Sequence, residues 1–458
     1  LPIAIAAVMY AIVLFAPPVL NDGDTWLHIA VGRWIIETHG VPWADPFSLT
    51  LRGEAWTAHE WLAELAMAAA YRLAGLSGVL ILTASAAALA AGSLARHLRL
   101  WLDPFPALMV LIFGLACAAP SLLARPHILA LPVLELWTAG LLLARARGTR
   151  PSFGLLPLMT LWANLHGSFL FGLALVVPFA IEAAFAGPAV LRRTMRDWLL
   201  FLAAATTAAM ITPYGWHGIL LPVRLLGMSQ LSQIGEWRPV DFGTPQPLEI
   251  ALLALLYLCL SRGVRLPPVR LFVLLGLLHM ALSHARHGLL AGFVAPLVLA
   301  EPLAPVVNGG GSAPRVAGAW RLAGLGMVVL LTAGRLAWPT QPRDGATTPV
   351  SALTHVPSAL REQPVFNDYA FGSLLIFDGI RPYIDSRAEL YGDAFLARYQ
   401  ALIRPDRAAL EATFAQYGIA WTIVPPGSAI VDVLDTLPGW RRVYGDGFAV
   451  VYARDAAR

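Results

Sequence analysis

Eleven apolar runs occupy most of the first 338 residues, near 3–20, 76–95, 105–122, 128–144, 153–165, 168–186, 198–211, 248–261, 268–282, 288–304 and 321–338. A bilayer hydrocarbon core needs roughly 20 apolar helical residues per crossing. The pattern predicts about eleven transmembrane helices, several of them short, with the pair around Asn164–Ser168 a hairpin that only just reaches the surface. The run 3–20 lacks a basic start and ends Pro17-Pro18-Val19-Leu20, so it reads as a retained span rather than a signal peptide.

Two kinds of polar connection alternate between these runs. One is arginine-rich: Arg96 and Arg99; Arg145, Arg147 and Arg150; Arg192, Arg193 and Arg196; Arg262 and Arg265; Arg315 and Arg321. The other carries His, Asn, Trp, Tyr and acids: the long segment 21–60, Arg125-Pro126-His127, Asn164-Leu165-His166-Gly167, the stretch 212–247 and Ser283-His284-Ala285-Arg286-His287. The positive-inside rule puts the arginine loops in the cytoplasm and the histidine-bearing loops outside. Gly309-Gly310-Gly311-Ser312 reads as a flexible cytoplasmic linker. In the first outer loop, Trp26, Leu27, Ala30, Trp34 and Ile35 stand near helical spacing, which predicts a short helix over 24–38 along the membrane interface. Asp45-Pro46-Phe47-Ser48 reads as a turn, and His59-Glu60-Trp61 opens a helix leading into the second span.

Past Pro339 the pattern changes. Strand-like runs at Pro364–Asn367, Tyr383–Ile384, Trp421–Val424 and Ala449–Tyr452 alternate with helical ones at Asp393–Ile403, Arg407–Tyr417 and Ala429–Leu437. The expected architecture is mainly α: a polytopic membrane module over 1–338 with its long first outer loop 21–60, then a small α/β domain over 339–458. An odd number of spans from a cytoplasmic N-terminus puts that domain outside, in the periplasm of a Gram-negative cell.

Composition agrees. The chain has 458 residues, 58% hydrophobic and 13% charged, with mean hydropathy +0.65. A soluble domain carries roughly 25% charged residues, so a soluble protein is excluded. The net charge is +4, and every basic residue is arginine. Cys117 and Cys259 both lie in apolar runs, which argues against a disulfide or a thiolate zinc site. No Walker, dinucleotide-fingerprint, CxxC or HExxH motif is present, and no basic patch for nucleic acid.

The candidate chemistry gathers in the outer loops. Asp22 and Asp24 directly follow the first span. Ionisable groups at such a place default to function. A carboxylate against apolar surface can serve as general base, and a spacing of two, if extended, puts both on one face, which suits a metal or two substrate hydroxyls. The competing reading is that Asp24 caps the following helix. His28, four residues on, takes either a phosphate or metal, or a structural hydrogen bond to Asp24. His59 and Glu60 are candidate substrate contacts or ordinary helix-start residues. Arg125 with His127, and Arg286 with His284 and His287, are candidate anion binders, because arginine matches phosphate oxygens bidentately. Asn164 and His166 contact substrate or glue helices together. Glu236, Trp237 and Arg238 bind substrate, or Glu236, Arg238 and Asp241 order their own loop.

This plan resembles the class C glycosyltransferase superfamily. Asp22-Gly23-Asp24 stands where that family carries its acidic motif in a long first outer loop, and the chain is also similar to bacterial membrane proteins of the superfamily. Asn367-Asp368-Tyr369-Ala370-Phe371-Gly372 with Asp385-Ser386-Arg387 loosely resembles the Trp-Trp-Asp-Tyr-Gly region of oligosaccharyltransferases, without its tryptophans. The resemblance implies an inner-membrane enzyme taking sugar from a polyprenyl-phosphate or diphosphate donor reached through the membrane lipid, for a glycan, lipid or protein acceptor. It implies Asp24 or Asp22 as general base in one inverting displacement, with Arg125, His127, Arg286 and His287 on the departing phosphate. Some members use a divalent metal; Mg or Mn on Asp22 and Asp24, with His28, is the corresponding expectation. The rival readings are a flippase for a lipid-linked sugar and a non-catalytic assembly protein with a partner-binding outer domain.

Overall fold

The computed structural model describes residues 1–185, 191–230, 235–309, 318–404 and 406–455. Each apolar run is helical. The helices are α1 (Pro2–Phe15), α2 (Asp24–Thr38), α3 (Trp61–Leu98), α4 (Pro104–Ala118), α5 (Pro126–Ala146), α6 (Leu156–Leu165), α7 (Phe169–Ala184), α8 (Leu191–Ala209), α9 (His217–Leu226), α10 (Pro247–Arg262), α11 (Pro268–Ser283), α12 (Gly288–Val307) and α13 (Gly318–Ala337). Proline stands in the first turn of α1, α4, α5, α6, α10 and α11, where its missing N–H costs nothing. Among the described residues, five helical stretches are both long and apolar enough to cross a membrane: Trp61–Leu98, Pro104–Ser121, Pro126–Ala146, Ala285–Val307 and Trp320–Ala337. α1, α6, α7 and α11 are shorter apolar helices, so eleven crossings do not follow from helix length alone. The linker residues Gly310, Gly311 and Ser312 and the loop residue Arg315 lie outside the described residues.

The chain divides into two compact units, and the division does not follow the sequence boundary at 338/339. Residues 17–79 and 223–231 group with 339–458; the remaining helical residues form the other unit. α3 breaks at Ala74 and Gly75, where Gly75 takes a φ of 58°.

In the helical unit, buried charges are paired, as ionisable groups among apolar helices must be. Arg270 of α11, 1% exposed, bonds Glu182 of α7 at 3.0 Å and also Glu301 of α12. Arg145 of α5 bonds Glu182 at 2.7 Å. His97 of α3 meets Glu135 of α5 at 2.7 Å.

The second unit is built on a four-stranded sheet of β1 (Val365–Asn367), β2 (Trp421–Val424), β3 (Trp440–Gly445) and β4 (Val450–Arg454) in the order β1-β2-β4-β3. β1 and β2 are parallel, with Val365 opposite Trp421; the other pairs are antiparallel. Around it lie α14 (Val350–His355), α15 (Ser358–Arg361), α16 (Gly372–Phe377), α17 (Ala388–Leu402), α18 (Arg407–Tyr417) and α19 (Ile430–Thr436).

Two strand expectations change. Tyr383–Ile384 is not a strand: the Asn367 side chain accepts from Tyr383 N–H and donates to Ile384 C=O, both at 2.8 Å, so one buried amide replaces a strand partner. Trp440–Gly445 is an added strand whose half-exposed pattern hid it. The helix over 24–38 forms as expected and packs within this unit. Its Trp26 packs edge-on to Phe377 of α16, and Leu27, Ala30, Val31 and Ile35 are buried with Trp56, Ala58 and Ile376.

Candidate functional site

In the sheet-bearing unit, the chain reaches α2 through Asp22 and Gly23. Gly23 is already helical in φ and ψ, so the Asp22–Asp24 segment is not extended, and the expectation of two carboxylates side by side on an extended strand fails there. Asp22 turns back to accept the Asp24 N–H at 2.9 Å, so Asp22 rather than Asp24 supplies the side-chain oxygen at this helix start.

His28 is buried one turn further along α2. Its Nδ1 lies 3.2 Å from Glu64 Oε1, and its Nε2 lies 3.9 Å from Glu60. Burial works against protonation of His28, but Glu64, Glu60 and Asp22 outweigh it, and the pKa is raised. His59 stands 3.6 Å from Glu60; burial, helped by the charge on His28, lowers its pKa to about 4. Glu64 was not among the sequence candidates. Its signal was an acid one turn after Glu60 on an otherwise apolar helix start.

Among the described residues, no three His, Cys, Asp or Glu side chains stand together as metal ligands. The two ring nitrogens of His28 face Glu64 and Glu60. Of the residues expected to hold Mg or Mn, His28 is thus already engaged by Glu64 and Glu60.

The helical unit holds the second cluster. Arg125 precedes α5 and Arg286 lies in the turn before α12. Both reach Glu236: Arg125 Nη1 donates to Oε2 at 2.6 Å and Arg286 Nη1 to Oε1 at 2.9 Å. Burial would raise the Glu236 pKa, but the two guanidinium groups outweigh it and bring it to about 2. Arg286 also lies 4.5 Å from the centre of the buried Trp237 ring. The loop is tied to the α11–α12 turn by Val240 N–H to Leu282 C=O, Ala285 N–H to Arg238 C=O, and His284 to the Trp237 carbonyl. Glu236 thus bonds across the unit rather than ordering its loop from within.

His127 Nε2 is 2.8 Å from Ser121 O, and His287 Nδ1 is 3.2 Å from Met280 O. Asn164 donates to the Thr160 and Ile211 carbonyls, and His166 meets Ser168 at 2.8 Å, its ring 5.9 Å from that of His127. Asn164 therefore ties α6 to the end of α8.

No protein-family model matches the chain, and no curated protein matches it by sequence. Solved structures do. ArnT from Cupriavidus metallidurans in the apo state aligns over 99% of this chain and 97% of its own, at 16% identity and a TM-score of 0.54. ArnT bound to undecaprenyl phosphate aligns over the same shares at 15% and 0.52. The apo oligosaccharyltransferase of Archaeoglobus fulgidus aligns over 92% of this chain and 69% of its own, at 13% and 0.55. The chain has the class C glycosyltransferase fold. Residues 17–79, which include Asp22-Gly23-Asp24, form one unit with 339–458.

Proposed function

We propose that this chain is a membrane glycosyltransferase that moves a sugar from a polyprenyl-phosphate-linked donor to an acceptor on the periplasmic side of the bacterial inner membrane. The carrying observation is the class C fold across 99% of the chain and 97% of ArnT. ArnT has been seen with undecaprenyl phosphate, which supports the same chemical class of lipid partner here. In this reading all eleven apolar helices cross the membrane, the shorter ones in a locally thinned bilayer.

Asp24 or Asp22 takes the proton from the acceptor hydroxyl as its oxygen attacks the anomeric carbon. The bond from that carbon to the phosphate oxygen breaks, and the electron pair leaves with the phosphate. The charge that develops on the departing phosphate calls for preorganised electrostatic stabilisation, the kind of help that dominates many rate enhancements.

The test is release of lipid phosphate by the purified full chain in detergent, from a panel of polyprenyl-phosphate sugars. Wild type should release it, and one of Asp24→Asn and Asp22→Asn should lose about 10²–10⁴-fold, the usual worth of a general base. No release from any donor, with no donor raising thermal stability, overturns the reading.

A further inference from the structure

We propose that Glu236 is an internal stand-in for the ligand's phosphate, seated between Arg125 and Arg286, and that a phosphate-bearing ligand binds this arginine pair by displacing it. The proposal rests on the reading of these arginines as a phosphate seat, and it does not depend on sugar transfer.

Two guanidinium groups from separate helix ends converge on one carboxylate, and each takes a different oxygen. This is the arrangement that a tetrahedral phosphate, with at least two oxygens to share, satisfies as well or better. The two guanidinium groups favour the anionic form of Glu236 and hold its pKa well below the usual carboxylate range. Its release therefore comes through competition by another anion, not through protonation.

The surroundings allow the exchange. The side chains of Arg125, Arg286 and Glu236 are 16%, 28% and 29% exposed, so the seat is partly open. Trp237 is fixed through its carbonyl to His284 and lies beneath Arg286, while Gly235 on the other side of Glu236 is exposed. The carboxylate can swing out while the floor of the seat stays in place. One ring nitrogen each of His127, His284 and His287 is engaged by a backbone carbonyl.

The experiment measures binding to the full chain in detergent of farnesyl phosphate, inorganic phosphate and neutral farnesol, for wild type, Glu236→Gln, Glu236→Asp and Arg286→Gln. Farnesyl phosphate should bind about tenfold more tightly to Glu236→Gln, a difference of about 1.4 kcal/mol. Glu236→Asp, which keeps the charge but shortens its reach, should fall between, and it decides the matter if Glu236→Gln does not fold. Arg286→Gln should lose binding, and farnesol should not respond. Equal tightening for inorganic phosphate identifies a free phosphate as the ligand; tightening for farnesyl phosphate alone identifies a lipid headgroup. Unchanged or weaker phosphate binding in both Glu236 variants makes Glu236 a strut and overturns the proposal. Arg286→Gln binding like wild type overturns the phosphate seat itself, separately from any turnover assay.

Discussion

Arg387 Nη1 donates to Asp45 Oδ1 at 2.7 Å, across 342 residues of chain, and the two side chains are 2% and 0% exposed. The same guanidinium bonds Asp385 through Nε and Nη2, both at 2.7 Å, and Tyr391 adds a hydroxyl to Asp385 at 2.8 Å. Asp45 meanwhile accepts from the Phe47 and Ser48 N–H groups. One buried cation therefore locks the Asp45 turn to the C-terminal residues. Removing one partner of a buried pair costs about 3–5 kcal/mol, because the other charge is left uncompensated. Arg387→Met should accordingly lower the melting temperature of the purified chain sharply, and adding Asp45→Asn should recover part of the loss. A melting temperature unchanged by Arg387→Met would mean that the lock does not hold this unit.

Gly32 sets how closely α2 approaches α3. A methyl group there would overlap the backbone carbonyl of Glu64, and backbone cannot swing aside. Gly32→Ala should push the helices apart and cost about 1–3 kcal/mol, the usual range for overpacking. Because Glu64 holds His28, the same change should blunt the pH response described next. Thermal unfolding at two pH values checks both, and a neutral effect at each would show that the helices part freely.

The two histidines of this unit titrate in opposite senses. His28 is raised above its unfolded value of 6.5, so its contribution is complete below pH 6.5 and is lost as the pH rises through the raised value. His59, lowered to about 4, contributes above pH 6.5 and loses that contribution as the pH falls from 6.5 to 4. Stability from this cluster should peak near pH 6.5. His28→Gln should flatten the alkaline side of a melting-temperature profile and His59→Gln the acid side. The reverse assignment would place the charge on the wrong imidazole.

The topology is tested by labelling. Arg147 and Arg381 are both exposed. In a chain with Cys117 and Cys259 replaced by serine, Arg147→Cys should react from the cytoplasmic side and Arg381→Cys from the periplasmic side. Labelling from one common side would break the alternation of loops on which the outside placement of the C-terminal domain rests.

Much of the molecule was legible one segment at a time. The apolar runs became helices, β1, β2 and β4 lie within or over the strand-like runs, and Asp45-Pro46-Phe47-Ser48 is a turn closed by the Asp45 side chain. The exceptions were those in which a distant group supplied what a local pattern lacked. Asn367 completed the backbone of Tyr383 and Ile384, and edge pairing with β4 made a strand of Trp440–Gly445.

What the sequence by itself determined is the membrane-spanning character of the chain, its mainly helical build and the places where polar side chains interrupt apolar runs. These follow from composition and from periodicities a few residues long, which each segment carries alone. Only the tertiary structure decided which charges meet: His28 with Glu64, Arg387 with Asp45, and Glu236 with both Arg125 and Arg286. It also decided that residues 17–79 fold with 339–458. A buried charge must be neutralised wherever the fold leaves it, and its partner is chosen by proximity across tens to hundreds of residues, a relationship that no local spacing encodes.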